Sequence, residues 1–341
     1  MNTIIEKVSE ESILRASDIL RSGGLVAFPT ETVYGLGGNA LDADAAAKIY
    51  AAKGRPSNNP LIVHIAYPED AERYAYTCEL YYRIADAFMP GPITVILPKK
   101  DIVPSAVTGG LDSVALRCPS HAGAQALLKA ANIPIAAPSA NLSGSPSPSC
   151  AEHVISDLDG RVDMIIDGGE CEVGLESTIV KIDGDSLLLL RPGKISAEEL
   201  ECVCREVDIA QAVTEKPRED ESPLSPGMMY RHYAPKASLA LLDGSFEHRV
   251  KFMREKSSDG AVALLLSREA AARIGECAAS LYIFGDEDDL DAQAHSLFAF
   301  LRLADSDGAK EIYTALPQKN GMGLALYNRL IRAASYNIIK L

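Results

Sequence analysis

The residues best suited to chemistry lie at the ends of apolar runs. Leu25-Val26-Ala27-Phe28 reads as a buried strand that empties into Pro29-Thr30-Glu31-Thr32-Val33-Tyr34-Gly35-Leu36. Two threonines, a glutamate and a tyrosine, followed by Gly35, Gly37 and Gly38, build a polar pocket at a strand end. Glycines there let backbone N–H groups approach a ligand. Arg117 lies inside the apolar strand Val114-Ala115-Leu116-Arg117. A buried guanidinium has to meet an anion, which is either a fixed internal carboxylate or the carboxylate of a ligand. His64, in Leu61-Ile62-Val63-His64-Ile65, is either a satisfied core histidine or a ligand contact.

Lys53-Gly54-Arg55 closes a helix, where cations complement the helix dipole. The rigid, polar Pro56-Ser57-Asn58-Asn59-Pro60 then holds both cations near the start of a strand. Arg gives planar two-point recognition of phosphate, and Lys a compact charge. Ser139 and Asn141 share a face if the strand before them continues. No G-x-S-x-G is present, so Ser139 reads as a hydrogen-bonding group rather than a nucleophile. The Ser143 to Ser149 loop opens a helix, and a helix start suits phosphate. Gly35-Leu36-Gly37-Gly38-Asn39-Ala40 formally fits a dinucleotide fingerprint. Its approach is too long and polar for a tight first turn, and the acidic residue expected ~20 positions on is missing. There is no G-x-x-x-x-G-K-[ST].

The elements that must position these groups alternate between strand and helix. Asp42 is expected to N-cap a helix that Gly54 ends. A helix is expected over Glu69 to Phe88, and a further strand over Ile93 to Leu97. A helix near Gly123 to Ala130 leads into an Ile133 to Ala137 strand. Met164 to Ile166, Ser177 to Val180 and Leu187 to Leu190 follow as strands. Ser149 with Glu152, and Ser196 with Glu199, have capping-box spacing. These elements predict one α/β domain with a large twisted mixed sheet over residues 1–211. Residues 212–237 read as a linker. From 238 to 341, strands at Leu239, Val262, Leu281 and Ile312 alternate with helices, which predicts a smaller Rossmann-like α/β domain.

The 341 residues are 47% hydrophobic and 23% charged, ordinary for a soluble protein. No apolar run reaches the ~20 residues that span a membrane, and the N-terminus lacks a signal-peptide pattern, so a cytoplasmic location is expected. The seven cysteines are scattered without a CxxC pair, which argues against a disulfide framework or a zinc ribbon. Net charge is −14. The first 150 residues carry 12 Lys+Arg against 14 Asp+Glu, and the remainder 21 against 33. An acidic chain is a poor partner for extended nucleic acid, but the near-neutral first part leaves room for a small cationic pocket.

Pro-Thr-Glu-Thr-x-Tyr-Gly-Leu, Lys-x-Arg and Ser-x-Asn together resemble the YrdC-like domain. The whole chain is similar to the long, two-domain form of the threonylcarbamoyl-adenylate synthase family. The resemblance is dense from Gly23 to about Gly193, returns around Ser225 to Pro235, and weakens beyond. It implies synthesis of L-threonylcarbamoyl-AMP from L-threonine, bicarbonate or CO2, and ATP, for modification of tRNA. It also implies threonine contacts at Thr32, His64, Arg117, Ala137 and Ser177. Nucleotide contacts would come from Lys53, Arg55, Asn59, Ser113, Ser139, Asn141, Ser147, Arg191 and Tyr230, with Lys53 and Arg55 catalytic. Mg²⁺ would be bound mainly through ATP phosphates, with no protein metal motif, and the product would pass to tRNA threonylcarbamoyl-transfer machinery. Neither stable nucleic-acid binding nor membrane attachment is expected. The aromatic Ser225 to Pro235 segment is expected to act as a lid, with domain glue as the alternative. Two other readings share this domain type. One is a double-stranded RNA-binding module, which the acidic charge opposes. The other is a hydrogenase-maturation carbamoyltransferase, whose zinc-binding cysteine pairs are missing.

Overall fold

The computed structural model describes residues 2–216 and 233–341. It divides into two compact units, Met1–Ser143 with Ser147–Met229, and Gly144–Pro146 with Tyr230–Leu341. Of the expected lid, residues 225–232, with Tyr230, lie outside the described residues.

Eleven strands make the sheet of the first unit: β1 (Ile4–Lys7), β2 (Val26–Phe28), β3 (Gly35–Asn39), β4 (Ile62–His64), β5 (Ile93–Pro98), β6 (Ser113–Arg117), β7 (Ile135–Ala136), β8 (Met164–Asp167), β9 (Thr178–Asp183), β10 (Ser186–Arg191) and β11 (Val207–Ile209). Their order is β1-β8-β2-β3-β7-β4-β6-β5-β9-β10-β11, with parallel and antiparallel pairs mixed. Helices Glu10–Arg21 and Ala122–Ala131 are amphipathic. They bury Ile13, Leu20, Leu127 and Leu128 against Val26, Phe28, Ile135 and Met164 of the sheet. That apolar layer holds the ends of β2 and β7 in place.

The twisted mixed sheet is the one the sequence predicts, and most strands fall where expected. Helix Ala43–Lys53 starts at Asp42, whose side chain accepts from Asp44 N–H, and stops at Gly54, where φ is 62°. Ser196 and Glu199 form the expected capping box.

Four details differ. The expected Glu69 to Phe88 helix is broken into a short turn of helix at Ala71–Tyr74 and a helix at Glu79–Phe88, because Ala75 leaves to bridge Lys99. The strand before Ser139 is only Ile135–Ala136, confined between Pro134 and Pro138, which donate no backbone N–H. Cys150 rather than Ser149 occupies the N-cap of Ala151–Leu158, and makes no side-chain cap bond. The glycine-rich Gly35–Asn39 is a strand antiparallel to β2, not a loop, which removes the dinucleotide fingerprint because its glycines lie within the strand and not in the turn that leads into helix Ala43–Lys53. A Cβ on Gly37 would meet Ile135 Cγ2 at 2.8 Å and Phe28 Cε1 at 2.9 Å, so this glycine serves sheet packing.

The second unit has five strands, β12 (Ser238–Asp243), β13 (Val262–Leu266), β14 (Ser280–Ile283), β15 (Glu311–Ala315) and β16 (Ile338–Lys340). They are all parallel, in the order β14-β13-β15-β12-β16. Helices Phe246–Lys256 and Arg268–Ile274 cover one face through Val250, Met253 and Ala270. β12 and β13 bury successive residues and so are covered on both faces, as parallel sheets require. This is the expected smaller Rossmann-like domain.

Candidate active site

β4 and β6 are parallel, and their register sets His64 opposite Arg117 at the ends of the two strands. Phe28, the last residue of β2, meets the His64 ring edge-on, with centroids 5.9 Å apart. Burial, helped by the Arg117 charge, pushes the His64 imidazole down to about 3, so it is neutral at physiological pH. Its Nδ1 lies 3.2 Å from the Ile62 carbonyl oxygen.

The loop between β2 and β3 is folded inward. Thr30 Oγ1 donates to the Val33 carbonyl at 2.6 Å and lies 2.9 Å from Thr32 Oγ1. Val173 N–H donates to the Glu31 carbonyl. These bonds aim the Glu31 carboxylate at Arg117, with Oε1 2.8 Å from Nη2 and both side chains about 5% exposed. Of the two anions the sequence left open for Arg117, the internal carboxylate is therefore present. Yet the contact is poorly aligned. Both Glu31 oxygens and Arg117 Nε and Nη2 are buried without a hydrogen bond.

The glycine strand then carries the chain to the second cluster. Gly35 bridges Ser139, Leu36 N–H donates to Pro138 O, and Ala140 N–H donates to Tyr34 O. Ala137, tied to Ile62 O at 2.8 Å, packs beside Gly35. Lys53 turns away from the carbonyls of its own helix. Its ammonium, 3% exposed as a residue, donates to Ser139 O and Asn141 O, both at 2.5 Å. Ser139 Oγ donates to Asn141 Oδ1 at 2.6 Å. Lys53 and the Ser-x-Asn segment are thus one structure, which simple dipole complementation would not require. Arg55 donates instead to the carbonyls of Asn59 and Pro60, and Asn59 Oδ1 is buried without a partner.

A third cluster forms where β5 meets β9. The hydroxyls of Thr94 and Ser177 are 2.8 Å apart. Arg191 holds Ser177 from the other side, donating from Nη2 to Ser177 Oγ and from Nε to Ser177 O, each at 3.0 Å. Gly193 permits this, since a Cβ there would come within 2.5 Å of Thr178 N. Ser147 donates to Glu176 Oε1 at 2.5 Å, and Tyr34 N–H donates to the neighbouring Pro148 O. Ser113 stands apart. It opens β6, about 13 Å along the strand from Arg117 at ordinary strand rise.

Sequence reasoning placed Glu31 in the polar pocket without a role of its own, and missed Thr94 and Glu176. Thr94 carries the signal that marked Arg117 and His64, a polar residue inside an apolar strand. Glu31 was visible as the lone carboxylate among the threonines of the inward loop.

A mixed sheet with polar side chains gathered at strand ends, and a Lys-x-Arg helix end bonded to Ser-x-Asn, define a YrdC-type nucleotide enzyme domain. The Sua5–YciO–YrdC family, described as telomere recombination, matches residues 18–193, and the threonylcarbamoyl-AMP synthase C-terminal domain matches 195–335. The chain is 42% identical to the threonylcarbamoyl-AMP synthase of Pyrococcus abyssi over 98% of its length and 97% of that relative. It is also 42% identical to that of Bacillus subtilis, over 97% and 95%. The crystal structure of P. abyssi Sua5 complexed with L-threonine superposes with a TM-score of 0.88 at 41% identity, covering 100% of this chain and 99% of that one. The chain belongs to the threonylcarbamoyl-AMP synthase family.

Proposed function

We infer that this protein is an ATP-using transferase that joins L-threonine, bicarbonate or CO2, and ATP into L-threonylcarbamoyl-AMP and releases pyrophosphate. End-to-end similarity to threonylcarbamoyl-AMP synthases supports the reaction, as does the L-threonine bound to the P. abyssi relative. The observation that carries the reading onto this chain's own atoms is Arg117, a buried guanidinium at a strand end whose Nε and Nη2 lack hydrogen bonds.

Arg117 receives the threonine carboxylate, with Thr32, Ala137 and Ser177 around the rest of the amino acid. His64 stays neutral and so adds no second positive charge beside Arg117. The amine, once neutral, adds to CO2 and loses a proton to solvent, or displaces water from bicarbonate, and either route gives a carbamate. A carbamate oxygen then attacks the α-phosphorus of ATP, and the bond to pyrophosphate breaks. Lys53, Arg55 and Arg191 face the growing phosphate charge, and Ser139, Asn141, Asn59 and Ser147 orient the nucleotide. No covalent enzyme intermediate is needed, so catalysis rests on positioning and on fixed charges. Among the described residues, no group of three or more His, Cys, Asp or Glu could hold a metal ion. Mg²⁺ would be held mainly through the ATP phosphates, as part of the substrate.

The product is a reactive acyl-phosphate anhydride, and a tRNA threonylcarbamoyl-transfer system is its consumer. The charge of −14 favours handover without stable RNA binding. No described helix is long and apolar enough to cross a membrane, and a cytoplasmic site of action suits the substrates. Mass spectrometry of reactions containing ATP, bicarbonate and each amino acid in turn tests the assignment. A threonylcarbamoyl-AMP mass with threonine alone is expected. An equal adduct with serine, or none with any amino acid, would overturn it.

A further inference from the structure

The Glu31–Arg117 pair is built in an unusual way. Two opposite charges are buried in contact, with Glu31 itself 4% exposed, yet neither carboxylate oxygen is hydrogen-bonded. A pair kept only to cancel charge would gain from alignment, since burying ions is costly unless their remaining lone pairs and protons are met. The loop that carries Glu31 is not loose. The Thr30 hydroxyl bonds and the Val173 bond hold the backbone on both sides of it. Glu31 is thus held at the head of the substrate site with acceptor capacity unspent.

The surrounding titratable groups leave that capacity available. Burial pushes the Cys118 thiol up to about 11 and the Cys171 thiol up to about 12, with the Glu31 charge adding to both. Burial lowers the His121 imidazole below its ordinary value. These neighbours are neutral near pH 7, so among the described residues Arg117 is the cation that faces Glu31.

A ligand bearing only an anion would be drawn by Arg117 and repelled by Glu31. A ligand bearing only a cation would meet the reverse. A molecule carrying both signs on one carbon satisfies both groups at once and adds no net charge to the buried site. We propose that Glu31 receives the α-amino group of the amino-acid substrate, so that Glu31 and Arg117 together recognise a zwitterion. This rests on threonine as the substrate and deepens that reading. Glu31 is a specificity residue: it admits an α-amino acid in preference to a hydroxy acid, and it orients the nitrogen that becomes the carbamate.

Calorimetry with L-threonine and its deaminated analogue 2,3-dihydroxybutanoate separates the possibilities, using wild type, Glu31→Gln and Glu31→Asp. Wild type is expected to prefer threonine strongly. Glu31→Gln should lose threonine affinity by about 30-fold or more, the scale for removing one partner of a buried charge pair. It should bind the analogue at least as well as wild type, because the repelling carboxylate is gone. Glu31→Asp keeps the charge and should recover part of the threonine affinity. It also serves as the test if Glu31→Gln fails to fold, with a threonine-specific loss expected. Threonine affinity within about threefold of wild type in Glu31→Gln, or in Glu31→Asp where Glu31→Gln does not fold, would overturn the role. So would a parallel loss of both ligands with a lowered melting temperature, which would make Glu31 only the counter-ion of Arg117. Wild type that binds no threonine would overturn the substrate reading itself.

Discussion

The two sheets of this protein treat buried polarity differently. In the five-stranded sheet, β12 and β13 bury Leu239, Leu241, Leu242, Val262, Leu264 and Leu265, the apolar filling of a parallel sheet covered on both faces. In the eleven-stranded sheet, β4, β5, β6 and β10 bury His64, Thr94, Arg117 and Arg191. Core packing gives no reason for a guanidinium in a strand, because its desolvation has to be offset by an anion. The contrast separates a largely apolar sheet from a sheet that gathers buried polar side chains at its strand ends. The second unit does bury Thr314 on strand β15, but among its described residues the buried guanidiniums, Arg329 and Arg332, lie on helix Gly321–Ala333 rather than on strands, with Tyr233 against the Arg329 guanidinium.

Replacing one residue from each sheet gives the largest effects, and they should differ in kind. Arg117→Leu is expected to weaken threonine binding by about 2–5 kcal/mol while ATP binding changes less. Threonine affinity kept by a protein that melts early would make Arg117 part of the scaffold. Leu264→Ala, deep in β13, should lower unfolding free energy by about 2–5 kcal/mol in a urea titration. Its threonine affinity at low temperature should match wild type. A loss of threonine binding in the folded variant would blur the division between the sheets.

Lys53 sharpens the comparison at intermediate size. A cation at an exposed helix end adds at most ~1 kcal/mol to stability. Lys53 is buried on two carbonyls of the Ser-x-Asn segment, and Lys53→Ala leaves them without that donor, at a cost of about 1–3 kcal/mol. Lys53→Ala should therefore lower both turnover and melting temperature, whereas Arg55→Ala should lower turnover with a smaller melting shift. A large melting shift for Arg55→Ala with normal turnover would make that residue structural.

An effect of similar size, about 2 kcal/mol between pH 7 and pH 5, is expected from His64. Burial holds the folded-state value of His64 at about 3, against 6.5 for the free side chain. Between these values the unfolded chain binds the extra proton, so stability falls as pH drops from 6.5 toward 3. The slope from this one group is about 1.4 kcal/mol per pH unit. Chemical denaturation at pH 7 and pH 5 should show a shallower acid loss for His64→Gln than for wild type. Equal slopes would place the acid sensitivity elsewhere.

These contrasts also explain what the sequence made legible. Arg117 and His64 stood out because a charged or polar group inside an apolar strand has few physical excuses. The same test applied to Ile93-Thr94-Val95 would have found Thr94. Glu31 was harder, because a loop glutamate is ordinarily solvated, and only the fold turns this one inward against Arg117. The glycine strand β3 was hidden by its composition, since glycine has low strand propensity and its role here is to let Ile135 and Phe28 close over it. The helix expected through Glu69 to Phe88 failed at Ala75, where a bridge to Lys99 outweighed a continuous helical pattern. Domain class was easier to read, because alternating strands and helices persist whatever their boundaries.

We propose that the strand-end charges of the large sheet assemble one site for an amino acid and ATP together. Pyrophosphate release, measured with ATP in the presence and absence of L-threonine and bicarbonate, tests this most directly. The account predicts release only when both are present, and its loss in Arg117→Leu. Release from ATP alone, or unaffected by omission of threonine, would contradict it.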